Sequence, residues 1–495
     1  MTVHKLASNT LWNLFGQILP LLLAVAVIPM LIKSMGVSRY GFLTLAWVLI
    51  GYAGLFDFGI SRAMTRLVAK HVADGDKAAA DQVARAGSSF MLLFGFVVGL
   101  LLFGFSEVLV DRWLKVQTEL KGEAINSLRL LALSVPIVLL TAAYRGVLEA
   151  HQAFKPLAMI RVVMGALTYL GPLLALTLSK RLEVVVGTIV LMRVLANYLH
   201  ARVCQQSTQY HYRWNVPDRV VTKKLFALGG WMSVSNIVSP VMTYMDRFIL
   251  GGMVTIELVA YYATPYDMIT RVMILPYAFM GALFPVLAGM GSDHERIQKT
   301  YSTTIRILFL LMLPITFTAI VLAHPIMELW LGGTFALHGA PVLQLLALGV
   351  MANTLAQAPA NLIQSAGNPK WMALLHIIEL PLFLFAIWFF TTRYGIVGTA
   401  FSWSLRMVID SVILHLLVDH KLTKFNFSMA QLVSAVAVSI AFLVAAFIPY
   451  SLVQRLIVCS VGLTGFVFFA WFLVLTTEDK SLFTTLMTRR SAMTS

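Results

Sequence analysis

The chain has 495 residues, of which 59% are hydrophobic and only 12% are charged, and its formal net charge is +15. Apolar runs along nearly the whole length predict an all-α polytopic membrane protein and exclude a large soluble catalytic domain. The Lys and Arg excess fits the positive-inside rule and contact with anionic lipid headgroups. We therefore expect membrane lipids and no nucleic acid among the partners.

Apolar runs of about 17 to 25 residues predict about fourteen transmembrane helices. The predicted spans are 11–32, 42–68, 88–110, 125–148, 157–178, 182–203, 225–250, 258–288, 304–322, 342–363, 371–390, 397–417, 432–448 and 456–475. The first run is too long for a secretory signal peptide, so we interpret it as a retained helix. The distribution of Lys and Arg places both termini in the cytoplasm.

The two halves of the chain repeat weakly, so that Pro20 and Lys155 find counterparts at Pro240 and Lys370. Because six helices separate the copies, the repeats are parallel, around an axis along the membrane normal. The repeat predicts two pseudo-symmetric six-helix lobes around a central cleft, with two additional C-terminal helices. The corresponding domains are 1–215 with helices 1–6, 216–425 with helices 7–12, and 426–495 with helices 13 and 14 and a cytoplasmic tail.

Glycines and prolines inside the predicted spans indicate where helices pack closely and where they bend. Glycines within spans indicate close helix contacts. The eighth span carries Pro265, Pro276 and Pro285, which are tolerated where neighbouring groups or cavity water satisfy the freed carbonyl groups. The prolines therefore suggest moving parts, although proline is also common in transmembrane helices without such a role.

Three arginines, Arg193, Arg271 and Arg406, lie near the midpoints of predicted spans. Each costs about 2.5 to 3.5 kcal/mol at the bilayer centre unless it faces a polar interior. Guanidinium stays charged and binds phosphate bidentately, so the three predict a buried, water-accessible site for an anion such as phosphate.

Two of these arginines have a carboxylate four residues away on the same helix. Asp267 precedes Arg271 and Asp410 follows Arg406, so both arginines can be bridged along one helix face and act as struts or gates. Exposure of these two arginines to the cleft is the alternative. Arg193 has no acid within a turn and is the best single candidate for binding the headgroup.

Three segments carry a resemblance to a known family. Residues 36–69 (GVSRYGFLTLAWVLIGYAGLFDFGISRAMTRLVA), 244–252 (YMDRFILGG) and the polar turn 362–370 resemble Wzx-type polysaccharide flippases, which form one superfamily with the MATE transporters. The resemblance implies a MATE-like fold and a substrate of undecaprenyl-diphosphate-linked oligosaccharide. It implies movement of this substrate from the cytoplasmic to the periplasmic leaflet of the bacterial inner membrane, alongside other membrane proteins of polysaccharide assembly.

Two further arginines fit the mouth of such a cleft. Arg161 lies about one turn into helix 5 from the cytoplasm, and Arg145 lies at the cytoplasmic end of helix 4. We include both among the substrate-binding candidates. For Arg145 the alternative is that the side chain simply extends to the membrane interface.

Other charged residues are candidates for gating or ion coupling. Asp57 lies five residues before Arg62 and nine before Arg66. It either pairs with Arg62 or with a loop arginine, or it forms a cation or proton site. Asp246 and Arg247 are adjacent near the periplasmic end of helix 7, so they cannot neutralise each other along one helix face. They form a gate or extend to the interface.

His376 and Glu379 lie at positions i and i+3 of helix 11. A histidine beside a carboxylate can titrate near neutral pH, although a hydrogen-bonded core histidine is the alternative. Together with Asp267 and Asp410, this pair completes the gate and coupling candidates. We expect no cofactor, and coupling to H+ or Na+ remains open.

No motif indicates catalysis, so we expect a transporter and not an enzyme. The chain lacks a nucleotide-binding glycine loop and a metal-ligand spacing, so no metal site is expected. A MATE-type ion-coupled multidrug exporter is the first alternative, and it would favour surplus acid in the cleft. A membrane polymerase or ligase of lipid-linked glycans is the second, but it would need a long periplasmic loop.

Overall fold

A computed structural model describes residues 3–53, 60–208, 245–288, 294–365, 369–419 and 451–474. Between residues 209 and 244 it describes only residues 210, 221, 223, 225 and 242. The regular structure of these residues is helical, apart from one isolated bridge between Lys115 and Thr255. This confirms the predicted all-α class.

The structure describes seven α-helices before residue 209. They are α1 (Val3–Met35), α2 (Val37–Ala53), α3 (Ile60–Ala73), α4 (Lys77–Val108), α5 (Lys121–Ala150), α6 (Phe154–Ala175) and α7 (Leu182–Thr208). Their boundaries follow local chemistry, because Gly36 and Gly75 adopt positive φ at two of the turns. The Asp76 side chain caps α4 by accepting from the backbone N–H of Ala79. Predicted span 42–68 falls on α2 and α3, and residues 54–59 between them are outside the described residues.

Seven more helices are described after residue 255. They are α8 (Ile256–Thr270), α9 (Ile274–Ala288), α10 (His294–Val321), α11 (Ala323–Leu331), α12 (Gly333–Ser365), α13 (Pro369–Val418) and α14 (Leu452–Phe469). The chain forms two compact units, residues 1–263 and residues 264–495. The finer division into domains 1–215, 216–425 and 426–495 stays a prediction.

Eight described helices are long and apolar enough to cross a membrane. They are Lys77–Trp113, Thr118–Ala150, Phe154–Ala175, Leu182–Thr208, Glu295–Val321, Gly333–Ser365, Lys370–Val418 and Leu452–Phe472. Two shorter apolar helices, Leu19–Met35 and Val37–Leu49, add to them. The chain is thus a polytopic membrane protein. Span 432–448 and most of span 225–250 lie outside the described residues, so the count of fourteen stays a prediction.

The helices expose apolar side chains. Phe96 and Leu100 on α4 are 59% and 73% exposed, and Phe385 on α13 is 60% exposed. In water, continuous apolar surface of this kind would be unfavourable, whereas lipid tails solvate it. The exposed faces therefore mark the lipid-facing surface.

In the first unit, α4 packs closely on α5 through Gly95 and Gly99. A Cβ atom at Gly95 would lie 2.6 Å from the Cα atom of Pro136, and one at Gly99 would lie 2.7 Å from the carbonyl oxygen of Ala132. Small residues four apart allow two backbones to approach in this way. The prediction that helix glycines mark close packing is confirmed at this contact.

In the second unit, α13 is a helical hairpin. Gly395 has φ 56° and ψ −137°, which breaks the helix between the predicted spans 371–390 and 397–417. The halves then pack side by side, since the Ser402 hydroxyl donates to the Ala386 carbonyl at 3.0 Å. The two predicted spans are confirmed as separate helices.

Predicted span 258–288 is not one continuous α-helix, which corrects the sequence expectation. A 3-10 segment, Arg271–Met273, separates α8 from α9. Pro276 lacks the N–H group that would donate to the carbonyl of Val272 in an α-helix. The tighter turn results, with the N–H of Ile274 donating to the Arg271 carbonyl.

Candidate functional site

The α13 hairpin gathers four ionisable side chains, which we call the His376 cluster: His376, Glu379, Arg406 and Asp410. His376 and Glu379 share a face of the first half, and Arg406 and Asp410 share a face of the second. One ligand atom from each of His376, Glu379 and Asp410 lies within 4.8 Å of the other two. Sequence spacing alone gives no reason to group Asp410 with the other two.

The ion pair in the His376 cluster runs across the hairpin. Arg406 Nε lies 3.6 Å from Glu379 Oε2, and the two side chains are only 12% and 6% exposed. The guanidinium carbon of Arg406 also lies 5.2 Å from the ring centre of Phe383, a contact that sequence analysis missed although Phe383 is four residues after Glu379. The charge of Arg406 is therefore already balanced within the protein.

The two carboxylates of the His376 cluster are not fully balanced by that one guanidinium. Both Glu379 oxygens and Asp410 Oδ1 are buried and have no hydrogen-bond partner among the described residues. With a neutral His376, one negative charge is left uncompensated in a low-dielectric environment, which favours uptake of a cation. One proton or one monovalent cation would neutralise the cluster. A divalent metal ion beside the guanidinium would leave excess positive charge, so the donor set fits such a metal less well.

Arg193 lies near the middle of α7 and is half-buried. Its Nε is buried without a hydrogen-bond partner, and within the described ranges no ion pair reaches its guanidinium. An unbalanced arginine at this depth costs about 2.5 to 3.5 kcal/mol. The described residues therefore leave the charge of Arg193 without an ion pair.

Arg271 begins the 3-10 segment between α8 and α9, and Asp267 lies one turn before it on α8. Both side chains are half-buried, and both interact with other groups of the protein. Because the helix changes its geometry at Arg271, the relative direction of the two side chains differs from that on a regular helix. Arg193 belongs to the first unit, whereas Arg271 and Arg406 belong to the second. That the three arginines hold one headgroup stays a prediction.

Asp246 and Arg247 are buried, at 0% and 3% exposed. The hydroxyl of Tyr262 donates to Asp246 Oδ2 at 2.5 Å, and the backbone N–H of Arg247 donates to Asp246 Oδ1 at 2.8 Å. Both side chains therefore lie inside the protein and do not extend to the membrane interface. Tyr262, sixteen residues away on α8, was missed because only folding brings it to Asp246.

The remaining substrate and gate candidates differ in exposure. Arg145 and Arg161 are exposed, and Arg145 Nε lies 3.7 Å from Glu149 Oε1 on the same helix. Asp57 lies outside the described residues. Arg62 is exposed on α3, where sequence analysis expected a partner for Asp57.

Arg62 lines an open groove of about 410 Å³. We call it the Arg62 groove, and its lining residues are Arg62, Thr65, Arg66, Ala69, Glu149, Ala150, Gln152 and Phe154. One wall is α3 and the other is the turn from α5 to α6. Arg66 lies four residues after Arg62, which places both arginines on one face of α3.

A second contact lies at the opposite end of α5 from the Arg62 groove. It joins the α4–α5 connection to the segment before α8. We call it the Lys115 contact. The N–H of Lys115 donates to the Gly251 carbonyl at 3.1 Å, and the N–H of Ile256 donates to the Lys115 carbonyl at 3.4 Å. The ammonium group of Lys115 adds a bond to the Met253 carbonyl at 2.7 Å. Backbone bonds of this kind carry no sequence signature.

The apolar helices long enough to cross a membrane define an integral membrane protein. A profile described as "Polysaccharide biosynthesis protein" matches residues 33–337. The chain is also 30% identical over 415 residues to the "Putative O-antigen transporter" of Shigella flexneri, covering 83% of this chain and 97% of that protein. The chain belongs to the polysaccharide biosynthesis protein family.

Two solved structures share the fold. The lipid II flippase MurJ in an inward closed conformation superimposes with a TM-score of 0.73 and 16% identity, covering 94% of this chain and 98% of that one. An inward-facing MATE family multidrug resistance transporter of the MOP superfamily superimposes with a TM-score of 0.69 and 15% identity. The match covers 83% of this chain and 98% of that one. The expected MATE-like fold is confirmed.

Proposed function

We propose that the protein is a flippase for undecaprenyl-diphosphate-linked oligosaccharide, moving it from the cytoplasmic to the periplasmic leaflet of the bacterial inner membrane. Both termini would lie in the cytoplasm, as the positive-inside bias predicts. The family and the similarity to an O-antigen transporter and a lipid II flippase support a lipid-linked glycan as substrate. The observation that carries the proposal is the half-buried Arg193, whose Nε is buried without a hydrogen-bond partner among the described residues.

The chemistry of the substrate matches this arginine. A lipid-linked oligosaccharide has a polar head with a diphosphate and an apolar tail, so the head needs a cationic, hydrated site while the tail stays in lipid. Arg193 offers a charge and paired N–H donors that the protein does not neutralise. Arg271 and Arg406 would bind the head more weakly, since Arg406 already balances Glu379.

Uphill or directional movement would require coupling, and the His376 cluster suits one monovalent cation. Its uncompensated negative charge and buried, unpartnered carboxylate oxygens are the features that support this role. In the variant Glu379→Gln we expect transport to lose its dependence on a proton or sodium gradient. Comparing imposed proton and sodium gradients in vesicles identifies the ion. Unchanged gradient dependence in the variant would remove the cluster from coupling.

Alternating access requires the periplasmic side to close and open. We propose that the Lys115 contact is part of the closed state there. In a background lacking Cys204 and Cys459, the pair Lys115→Cys and Thr255→Cys should form a disulfide, because residues paired by a bridge lie at disulfide distance. Oxidation should stop transport and reductant should restore it. Full transport by the oxidised, cross-linked protein would exclude this gate.

A MATE-type multidrug exporter is the second candidate. The shared fold and the acid surplus of the His376 cluster favour it, because cationic drugs bind to acidic sites. Arg193 opposes it. Drug sensitivity of a deletion strain separates the two functions.

The proposal is tested by deleting the gene and analysing membrane lipids. We expect complete undecaprenyl-diphosphate oligosaccharide to accumulate in the cytoplasmic leaflet while surface glycan disappears. A plasmid copy should reverse both effects. Normal surface glycan with raised sensitivity to cationic drugs would overturn the flippase proposal in favour of the exporter.

A further inference from the structure

The Arg62 groove has two walls that come from distant parts of the first unit. Arg62, Thr65, Arg66 and Ala69 follow the i, i+3, i+4, i+7 spacing of one helix face on α3. The opposite wall is the short turn that joins α5 to α6. The basic bias of these segments puts the groove at the cytoplasmic surface of the membrane, at the depth of the lipid headgroups.

The walls are held together by small residues and direct bonds. The Thr65 hydroxyl contacts the Gly146 carbonyl at 3.1 Å, and the Ser61 hydroxyl donates to the Ala142 carbonyl at 3.1 Å. A Cβ atom at Gly146 would lie 2.9 Å from the Thr65 hydroxyl oxygen, so the fit leaves no room for a larger residue. In the turn, Gln152 takes a positive φ of 57°. The groove is therefore a formed feature of the fold.

Among the described residues, no ion pair balances the positive charge of the groove. Arg62 and Arg66 are exposed, and no described carboxylate forms an ion pair with either. The acid of the opposite wall, Glu149, is already paired with Arg145. Two like charges four residues apart on a helix repel each other, at a cost of about 0.2 to 0.5 kcal/mol. An anion between them would relieve that repulsion.

Two further features fit an anion from the membrane. Helix α6 begins at Phe154 on the groove wall, so the positive end of its dipole adds to the field of the arginines. Phe154 itself is 57% exposed, which suits a ring at the headgroup level of a bilayer. The groove thus places the cationic side chains of Arg62 and Arg66 beside the apolar ring of Phe154.

We propose that the Arg62 groove binds the phosphate groups of a lipid headgroup, with preference for a diphosphate. That this lipid is the transported substrate, captured from the cytoplasmic leaflet before it reaches Arg193, rests on the proposed function. Both basic residues of the groove are arginines, whose forked donors can each take two phosphate oxygens, whereas lysine acts as a point charge. The role differs from the gating or coupling role that sequence analysis gave to Arg62.

The test is direct binding to the full-length protein in phosphatidylcholine nanodiscs, with a fluorescent prenyl diphosphate as the probe. We expect the double variant Arg62→Gln and Arg66→Gln to raise the Kd at least about tenfold, which corresponds to about 1.4 kcal/mol. The matched control is Lys70→Gln, which removes one exposed cation from the same helix outside the groove. The double variant Arg62→Lys and Arg66→Lys should recover binding only in part.

Two binding results and one result in cells would overturn the inference. One is a Kd in the Arg62→Gln and Arg66→Gln variant that matches the Lys70→Gln control, with both proteins showing the wild-type melting midpoint. The other is displacement of the probe by an equal concentration of phosphatidylglycerol, which would assign the groove to bulk anionic lipid. If the groove variants retain surface glycan while Arg193→Ala loses it, the groove assignment fails and the flippase proposal stands.

Discussion

Arg193 and Arg406 are the same residue type, each near the midpoint of a predicted span, yet their surroundings differ. Arg406 lies 3.6 Å from Glu379 and over Phe383, whereas Arg193 has no ion pair within the described residues. The charge of Arg406 pairs with the buried carboxylate of Glu379, whereas no ion pair within the described residues balances the charge of Arg193. Depth in the membrane alone therefore does not identify a substrate-binding arginine.

The largest loss of stability is expected for the variant Arg406→Ala. Removing one partner from a buried ion pair leaves an uncompensated charge, which costs about 3 to 5 kcal/mol. We expect a clearly lower midpoint of thermal unfolding in detergent. Adding Glu379→Gln to the same protein should recover much of the loss, because the cluster then again carries one excess negative charge, that of Asp410. An unchanged midpoint in the single variant would show that Arg406 is not a structural partner of Glu379.

Arg193→Ala should lower transport without lowering stability, which is the opposite of the pattern expected for Arg406→Ala. Charge-assisted hydrogen bonds contribute about 1.5 to 3 kcal/mol each, so transport should fall by about 10- to 100-fold. Stability should stay the same or rise, because an unbalanced buried charge is removed. Leu191→Ala, a lipid-facing position on the same helix, is the control. A destabilised Arg193→Ala protein would indicate a structural role like that of Arg406.

Tyr262→Phe extends the comparison to Asp246, the buried acid of the first unit. Loss of the 2.5 Å bond from the tyrosine hydroxyl should lower stability by about 1 to 3 kcal/mol, since Asp246 is 0% exposed. Tyr261→Phe is the matched control, because its hydroxyl donates at 3.2 Å to Glu257, which is only half-buried. Equal melting midpoints for the two variants would contradict a structural role for the Asp246 bond.

The smallest effect is expected for Arg145→Gln. The Arg145 and Glu149 side chains are 53% and 41% exposed, and exposed pairs of this spacing contribute about 0.5 kcal/mol or less. We expect almost no change in melting midpoint or in surface glycan. A loss of surface glycan as large as that of Arg193→Ala would place Arg145 in the headgroup site.

The sequence predicted features that depend on local chemistry. Apolar runs located the long helices, and the hairpin break fell at Gly395, between two runs of spanning length. The 3-10 segment at Arg271 was missed, although Pro276 is its visible cause.

Pairing between helices was beyond reach of the sequence. The rotation of each helix is set by packing, so neither the bond from Tyr262 to Asp246 nor the pairing of Arg406 with Glu379 follows from spacing. The ion pair of Arg406 at 3.6 Å is with Glu379 in the other half of the hairpin, although Asp410 is nearer in sequence. The Arg62 groove was missed for a related reason, because its walls lie more than seventy residues apart in the chain.

The most direct test of the account is flipping by purified protein in proteoliposomes, followed with a fluorescent undecaprenyl-diphosphate-linked oligosaccharide. Transfer between leaflets should be fast for the wild-type protein, about 10- to 100-fold slower for Arg193→Ala and partly restored for Arg193→Lys. Wild-type rates for Arg193→Ala would contradict the claim that this unbalanced arginine binds the headgroup.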